Sequence, residues 1–360
     1  MDQATFNRLL SAAAKNGASD IHFKTDSSPA VRVNGAMIPV KCPSLASDDM
    51  DRVAQHIMSQ GHYKGTVDTL QEWDTSYRIE GVARFRVSLF RQRGHLAAIL
   101  RVIPFDIPTF ESLGCPAVVE KIASEERGLI LVTGVAGSGK SSTLAAMTNY
   151  MNERQKLHIL TIEDPIEFIH PDKLSRISQR EVGLDTPSFS SALRAALRQD
   201  PDVILVGEMR DMETIDIAIK AAETGHLVLS TVHTTDAMRT VSRIIGAFPP
   251  EAQYPTRLRL AEILKATISQ RLLPHKSGKG RVLAAEVMVT TLTVQDMIKQ
   301  PEKMGGLRDY LEKSGAVYGS QSFDQHLLQL MREDKITEEV MLAASSNPAD
   351  MQRILTLEQE

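Results

Sequence analysis

The chain has 360 residues, 42% hydrophobic and 24% charged; at roughly 150 residues per domain that makes about two domains with enough apolar chain to bury a core, which excludes a stapled miniprotein and bulk disorder. Lys and Arg number 41 against 45 Asp and Glu, a net charge of -4, so the chain as a whole has no basic excess with which to hold nucleic acid or an anionic bilayer. Its two cysteines, Cys42 and Cys115, exclude a disulfide framework and a four-cysteine zinc site, and fit a reducing, cytoplasmic setting.

In chain order, MDQATFNRLLSAAAKNG predicts an amphipathic helix ending at Gly17, with an acid at Asp2 where a signal peptide would be basic. A strand follows around IHF, and VRV and AMIPV flank Asn34 and Gly35, a favoured hairpin turn pair. A helix is expected near 47–60. Residues 77–103 alternate: Phe85, Val87 and Leu89 point one way, Arg84, Arg86 and Ser88 the other, which predicts a half-buried antiparallel sheet with an arginine-rich outer face. Pro104, Pro108 and Pro116 punctuate the next stretch, so an α+β domain is expected over 1–105 and a linker over 106–112.

Over 113–280 the pattern becomes α/β. LILVTG, LHILTIED, DVILVGE and HLVLSTVH are nearly continuous apolar strands that alternate with helical segments, the look of a parallel sheet covered on both faces. Ligands gather at the carboxyl ends of such strands, and here those ends carry Gly134, Glu163, Glu208 and His233. Residues 281–360 are expected to be mostly helical. The best apolar run, GLILVTG, falls far short of the roughly 20 residues that span a bilayer, so any membrane role is peripheral.

Gly134, Gly139, Lys140 and Ser141 fit GxxxxGK[S/T] between a strand and a helix. Glycines let backbone N–H groups surround phosphates, the helix start adds partial positive charge, Lys140 meets the β and γ oxygens, and Ser141 ligates magnesium. Gly137, Ser138 and Ser142 complete the nucleotide-binding set, with ATP and Mg2+ as the expected ligands. Hydrolysis also needs an acid on magnesium and one to orient water. Glu208 ends DVILVGE, where Gly207 replaces an expected Asp, and TIEDPIE supplies Glu163, Asp164 and Glu167. Glu163 is assigned to water and Glu208 to magnesium, with the exchange of these roles left open; helix capping, or pairing with Arg210, is the plainer alternative for either. His226 and His233 bracket the strand HLVLSTV, and His233, at its carboxyl end, is placed to sense the γ-phosphate.

The order of SDIHF, PAVRVNG, RFRVSLFRQRG, GVAGSGKSST, TIEDPIEF, REVGLDTPSF, ALRAALRQDPDVILVGEMRDMET and AAETGHLVLSTVHTTDA resembles the secretion-type hexameric ATPases, and specifically the type IV pilus retraction ATPases. The resemblance runs from about residue 5 to 275 and more loosely through 322–340. It implies a PAS-like N-terminal domain, a RecA-like P-loop core and a homo-hexameric motor for pilus retraction and twitching motility. It also implies that TIEDPIE is the Asp box, DVILVGE the Walker B strand and TGHLVLSTVHT the His box. Arg86 and Arg101 match arginines that a neighbouring subunit's N-terminal domain brings to the nucleotide. The implied setting is cytoplasmic, peripheral at the inner membrane. The implied partners are a membrane platform protein and a retraction-ATPase paralogue, with no nucleic acid.

Two departures bring the chain closer to the accessory retraction ATPases: GGLRDYLEK from Gly305 to Lys313, where an AIRNLIRE-like motif is common, and the acidic tail LTLEQE. The rival class, pilus-assembly and type II secretion ATPases, usually adds a tetracysteine zinc element after the His box. Here only eleven residues separate Leu273 from Ala285. A ring translocase on nucleic acid would need a basic pore-facing stripe.

Overall fold

The computed structural model describes residues 1–33, 35–61, 63–103 and 106–359. They form two units, Met1–Asp106 with Pro165–Ile169, and Ile107–Asp164 with His170–Glu360. Asn34 and Pro104, read above as a turn residue and a boundary marker, lie outside the described residues.

The first unit runs α1 (Gln3–Lys15), β1 (Ala18–Lys24), β2 (Ala30–Val33), β3 (Ala36–Pro39), α2 (Ser47–Met58), β4 (Glu72–Ile79), β5 (Ala83–Gln92) and β6 (His95–Ile103). Asp2 caps α1 by accepting the Thr5 amide, and the chain leaves the helix at Gly17, whose φ of 72° suits glycine. The strands form one sheet in the order β3-β2-β1-β6-β5-β4, every neighbouring pair antiparallel. Phe6 and Leu10 of α1 and Met50, Val53 and Ile57 of α2 bury themselves among Ile21, Phe23, Phe85, Val87 and Leu89 of the sheet. The period-two pattern of β5 is therefore its core face. Its opposite face departs from expectation at Arg84, which is buried rather than open and whose Nη2 donates to Ser76 Oγ at 3.0 Å on the neighbouring strand.

The second unit opens with α3 (Phe110–Leu113) and α4 (Val118–Ile122). Then come β7 (Gly128–Thr133), α5 (Lys140–Arg154), β8 (His158–Glu163), β9 (Arg176–Glu181), α6 (Phe189–Ala196), β10 (Val203–Val206) and α7 (Met212–Glu223). They are followed by β11 (Leu227–Val232), α8 (Ala237–Ile245), α9 (Pro250–Ile263), β12 (Leu264–Pro274) and β13 (Arg281–Val289). Five helices finish the chain: α10 (Leu292–Lys299), α11 (Leu307–Tyr318), α12 (Phe323–Arg332), α13 (Glu338–Ala344) and α14 (Pro348–Gln359). The seven strands lie in the order β13-β12-β7-β11-β10-β8-β9, all parallel except β13, which runs antiparallel to β12.

Every residue of β7, β10 and β11 is buried. In β7, Leu129 and Leu131 enter one apolar cluster and Ile130 and Val132 the other, so both faces of the sheet are covered. The region from 281 begins with β13 before its helices start. That strand is the edge of the sheet, and the chain after α11 closes it. Ala285 N–H donates to His326 Nδ1 at 2.9 Å, Val287 and Gln321 exchange two backbone bonds at 2.9 Å, and Val289 N–H reaches Ser320 Oγ at 3.1 Å. Phe323, Leu327 and Leu330 of α12 pack with Leu273 and Ala284 behind these bonds.

Candidate active site

The loop between β7 and α5 holds the phosphate-binding signature. Gly134, Gly137 and Gly139 have φ of 143°, 76° and 91°, a region that other residues enter at a cost. At Gly134 a Cβ would also lie 2.4 Å from Ser138 Oγ and 2.5 Å from the Gln270 carbonyl oxygen, so only glycine lets the chain turn between β12 and the loop. Lys140 is the first residue of α5, and its buried Nζ donates to the carbonyls of Gly134 and Val135, both at 3.0 Å. The lysine is thus held inside the loop it would charge. Ser138 is buried and Ser141 and Ser142 half-buried at the same turn.

Across the sheet the carboxyl ends fall in the order β7, β11, β10, β8. Registers Thr133↔Val232, Ser230↔Val206 and Val206↔Ile162 bring Gly134, His233, Glu208 and Glu163 to one edge. His233 Nε2 lies 3.6 Å from Glu208 Oε2, and Arg210 Nε donates to that oxygen at 2.7 Å. The pairing of Glu208 with Arg210 therefore exists beside its approach to His233. Burial, and next the Lys140 charge, lower the His233 pKa, which favours the neutral ring with one donor and one acceptor. Glu163 accepts from Thr161 Oγ1 at 2.6 Å and from Gln179 Nε2 at 3.2 Å. Gly207, an apparent gap in the acidic strand, has a physical reason. Its N–H donates to the Ile162 carbonyl at 2.8 Å, and a Cβ there would sit 3.2 Å from that oxygen and 3.4 Å from Glu163 Cα.

Five more expected residues occupy other positions. His226 lies at the amino end of β11 and bonds Ala221 and Thr224, a local role. Asp164 and Glu167 are exposed, and Glu167 belongs to the first unit. Arg86 and Arg101 also lie in the first unit, directly opposite each other on β5 and β6; Arg101 Nε donates to Asp20 Oδ1 at 2.9 Å on β1. Like charges facing across a strand pair repel. Asp20 also lies 4.0 Å from Arg32 Nε, so this one carboxylate is shared among arginines while Arg86 and Arg101 remain exposed.

Sequence reasoning missed Gln270, whose buried Nε2 donates to Thr143 Oγ1 of α5 at 2.6 Å, and Glu286, a buried acid on β13. Neither belongs to a recognisable spacing. Burial is the main cause that pushes the Glu286 carboxyl up to about 7. A carboxylate raised in the folded state stabilises least when ionised, so this contribution is lost as pH rises from the ordinary carboxylate range through about 7. Glu286→Gln is expected to remove that slope, gaining up to roughly 3 kcal/mol at pH 8 and little at pH 4.5; melting curves across this range check it.

The type II/IV secretion system protein family model matches residues 3–341. The chain is 44% identical over 331 residues to the type IV pilus retraction ATPase PilT of Pseudomonas aeruginosa, covering 92% of this chain and 95% of that protein. It is 38% identical over 355 residues to the type IV pilus ATPase PilU of the same organism, covering 99% and 92%. The crystal structure of the pilus retraction motor PilT with bound ADP superposes with a TM-score of 0.87 at 42% identity, covering 96% of this chain and 98% of that one. The chain belongs to the type II/IV secretion system protein family of P-loop ATPases. Within it, the chain is of the PilT and PilU retraction-ATPase type. Identity does not favour the accessory branch expected from GGLRDYLEK, being higher to PilT than to PilU. No helix among the described residues is long and apolar enough to cross a membrane.

Proposed function

We propose that this protein is an ATP-hydrolysing motor that powers or assists type IV pilus retraction and twitching motility. The observation that carries the reading is the glycine-shaped loop between β7 and α5, with Glu208 and His233 at the adjoining strand ends. Gly134, Gly137, Ser138, Gly139, Lys140, Ser141 and Ser142 hold the phosphates. The Ser141 hydroxyl and the Glu208 carboxylate would supply oxygen donors of the kind magnesium takes. The bound ion supplies charge to the phosphate oxygens. Glu163 receives a proton from the attacking water, and neutral His233 donates a hydrogen bond to the γ-phosphate. Arg86 and Arg101 reach the nucleotide of the next subunit in a homo-hexameric ring, a reading their unbalanced charge supports. The strand order around β7 supports a RecA-like core; the six-stranded sheet with its two helices supports a PAS-like first unit.

The ring works at the cytoplasmic face of the inner membrane with a platform protein and a retraction-ATPase paralogue. Retraction, rather than assembly, is supported by near full-length similarity to retraction ATPases. The connection between β12 and β13 also leaves only residues 275–280 for any zinc element, and both cysteines are free. A net charge of -4 argues against a nucleic-acid track.

The assignment of the acids has a direct test. Glu163→Gln is expected to keep ATP binding and lower turnover by roughly 10²–10⁴, the scale of a lost general base. Sheet order supports a second reading. Glu163 stands three strand spacings, about 14 Å, from the P-loop strand, whereas Glu208 stands two away and beside His233. A normal Glu163→Gln protein alongside a dead but ATP-bound Glu208→Gln protein would reverse the roles.

A further inference from the structure

Glu286 lies within a run of buried apolar side chains on its strand, Leu283, Ala284, Ala285, Val287 and Met288. An acid in such a place costs stability unless it is paired or hydrogen-bonded, and such perturbed acids mark candidate functional positions. Its Oε1 accepts a hydrogen bond of 2.8 Å from the N–H of Ala237, the first residue of α8 and itself buried. The first amides of a helix have no partner within the helix. Here one finds its partner 49 residues later, on the edge strand.

The location of that helix start gives the bond its consequence. Residues 233–236 link the end of β11 to α8, and His233 is the first of them. The linker is tied at one end by the pairing of Val232 with Thr133, and at the other by Glu286. Between the ties, Thr234 and Thr240 hydroxyls lie 2.7 Å apart and Asp236 accepts the Arg239 amide. Glu286 also faces Ser269 in register, and Ser269 accepts from Thr133 Oγ1 at 3.0 Å. Thr133 immediately precedes Gly134. Buried polar residues thus stand in register across the strands between the start of α8 and the start of the phosphate loop.

We propose that Glu286 is a positioning residue of the ATPase reaction: by fixing the first turn of α8 to the edge strand, it sets where His233 stands relative to Glu208 and the γ-phosphate. It touches no substrate. The inference rests on the reading of Gly134–Ser141, Glu208 and His233 as the ATP site. Failure of that reading has its own signature, a Lys140→Ala protein that still turns over, and would overturn this inference with it.

The test uses the full-length assembled protein, with steady-state kcat and KM for ATP and the dissociation constant of ADP. Glu286→Ala is expected to lower kcat roughly ten- to hundredfold, the scale of a slightly misplaced catalytic group, while KM and ADP affinity change less than about twofold. Glu286→Gln keeps an acceptor for the Ala237 amide and is expected to recover most of kcat. A second variant removes the donor instead. Ala237→Pro places proline at the first helical position, where it is tolerated, after an Asp236 that is already extended at φ -159° and ψ 167°; it should match Glu286→Ala. In a His233→Ala background, Glu286→Ala should add little. A Gln variant as slow as the Ala variant, an Ala237→Pro protein with normal kcat, a loss confined to KM or ADP affinity, or multiplying effects with His233→Ala each overturn the proposal.

Discussion

Lys140→Ala is expected to abolish measurable nucleotide binding. The Lys140 ammonium is buried at the start of α5 and held by two loop carbonyls at 3.0 Å, which keeps it aimed within the loop rather than free in solvent. Charged hydrogen bonds contribute about 1.5–3 kcal/mol each, so losing those to the β and γ oxygens weakens binding by roughly 10²–10⁴. The backbone cradle and helix start remain, but they carry only partial charge. Titration with a fluorescent ATP analogue measures the loss, and unchanged affinity would remove the phosphate-loop assignment. Circular dichroism should be unaffected, since the lysine leaves behind carbonyls at the loop mouth rather than a hole in the apolar core.

The second large effect belongs to Arg86 and Arg101. Each replaced by alanine should leave ATP binding nearly intact and cut hydrolysis, by as much as roughly 10³–10⁵ if both act as arginine fingers. These side chains project from the first unit, opposite one another, and Asp20 neutralises only one of them. On the proposed reading, their charge is delivered to a neighbouring subunit's nucleotide. Mixing Arg101→Ala subunits with Lys140→Ala subunits rebuilds some sites that have both an intact loop and an intact arginine, so activity should partly return. Activities that simply average, with specific activity independent of protein concentration, would falsify shared sites.

The residues that could be read directly were those whose physics is local. Short apolar runs such as LILVT and HLVLSTV, bounded by turn residues and alternating with helical segments, read as strands covered on both faces, and the phosphate loop needs its glycines wherever it occurs. The alternation of β5 announced its core face in the same way. What escaped reading depends on neighbours distant in sequence. RISQRE became β9 because β8 offers it a parallel partner, although its composition gives no apolar signal. Arg84 is buried where Ser76 on the next strand accepts one of its hydrogen bonds, a neighbour that lies eight residues back in the chain. Gln270 and Glu286 sit at ordinary strand positions, and their meaning comes only from Thr143 and from the Ala237 amide. Arg86 and Arg101 lie between these cases: their strands were legible, their pairing in register was a structural fact, and their use rested on family resemblance.

The closure of β13 by His326, Gln321 and Ser320 has a further consequence, for solubility. An uncovered edge strand presents a row of free amides and carbonyls that any extended chain can extend into a larger sheet. In the proposed ring, where copies would be held at high local concentration, such an edge would meet its own kind repeatedly. Proteolysis after Tyr318 would strip away this cap together with the apolar backing of Phe323, Leu327 and Leu330, leaving a template for edge-to-edge aggregation while the phosphate loop itself was still intact.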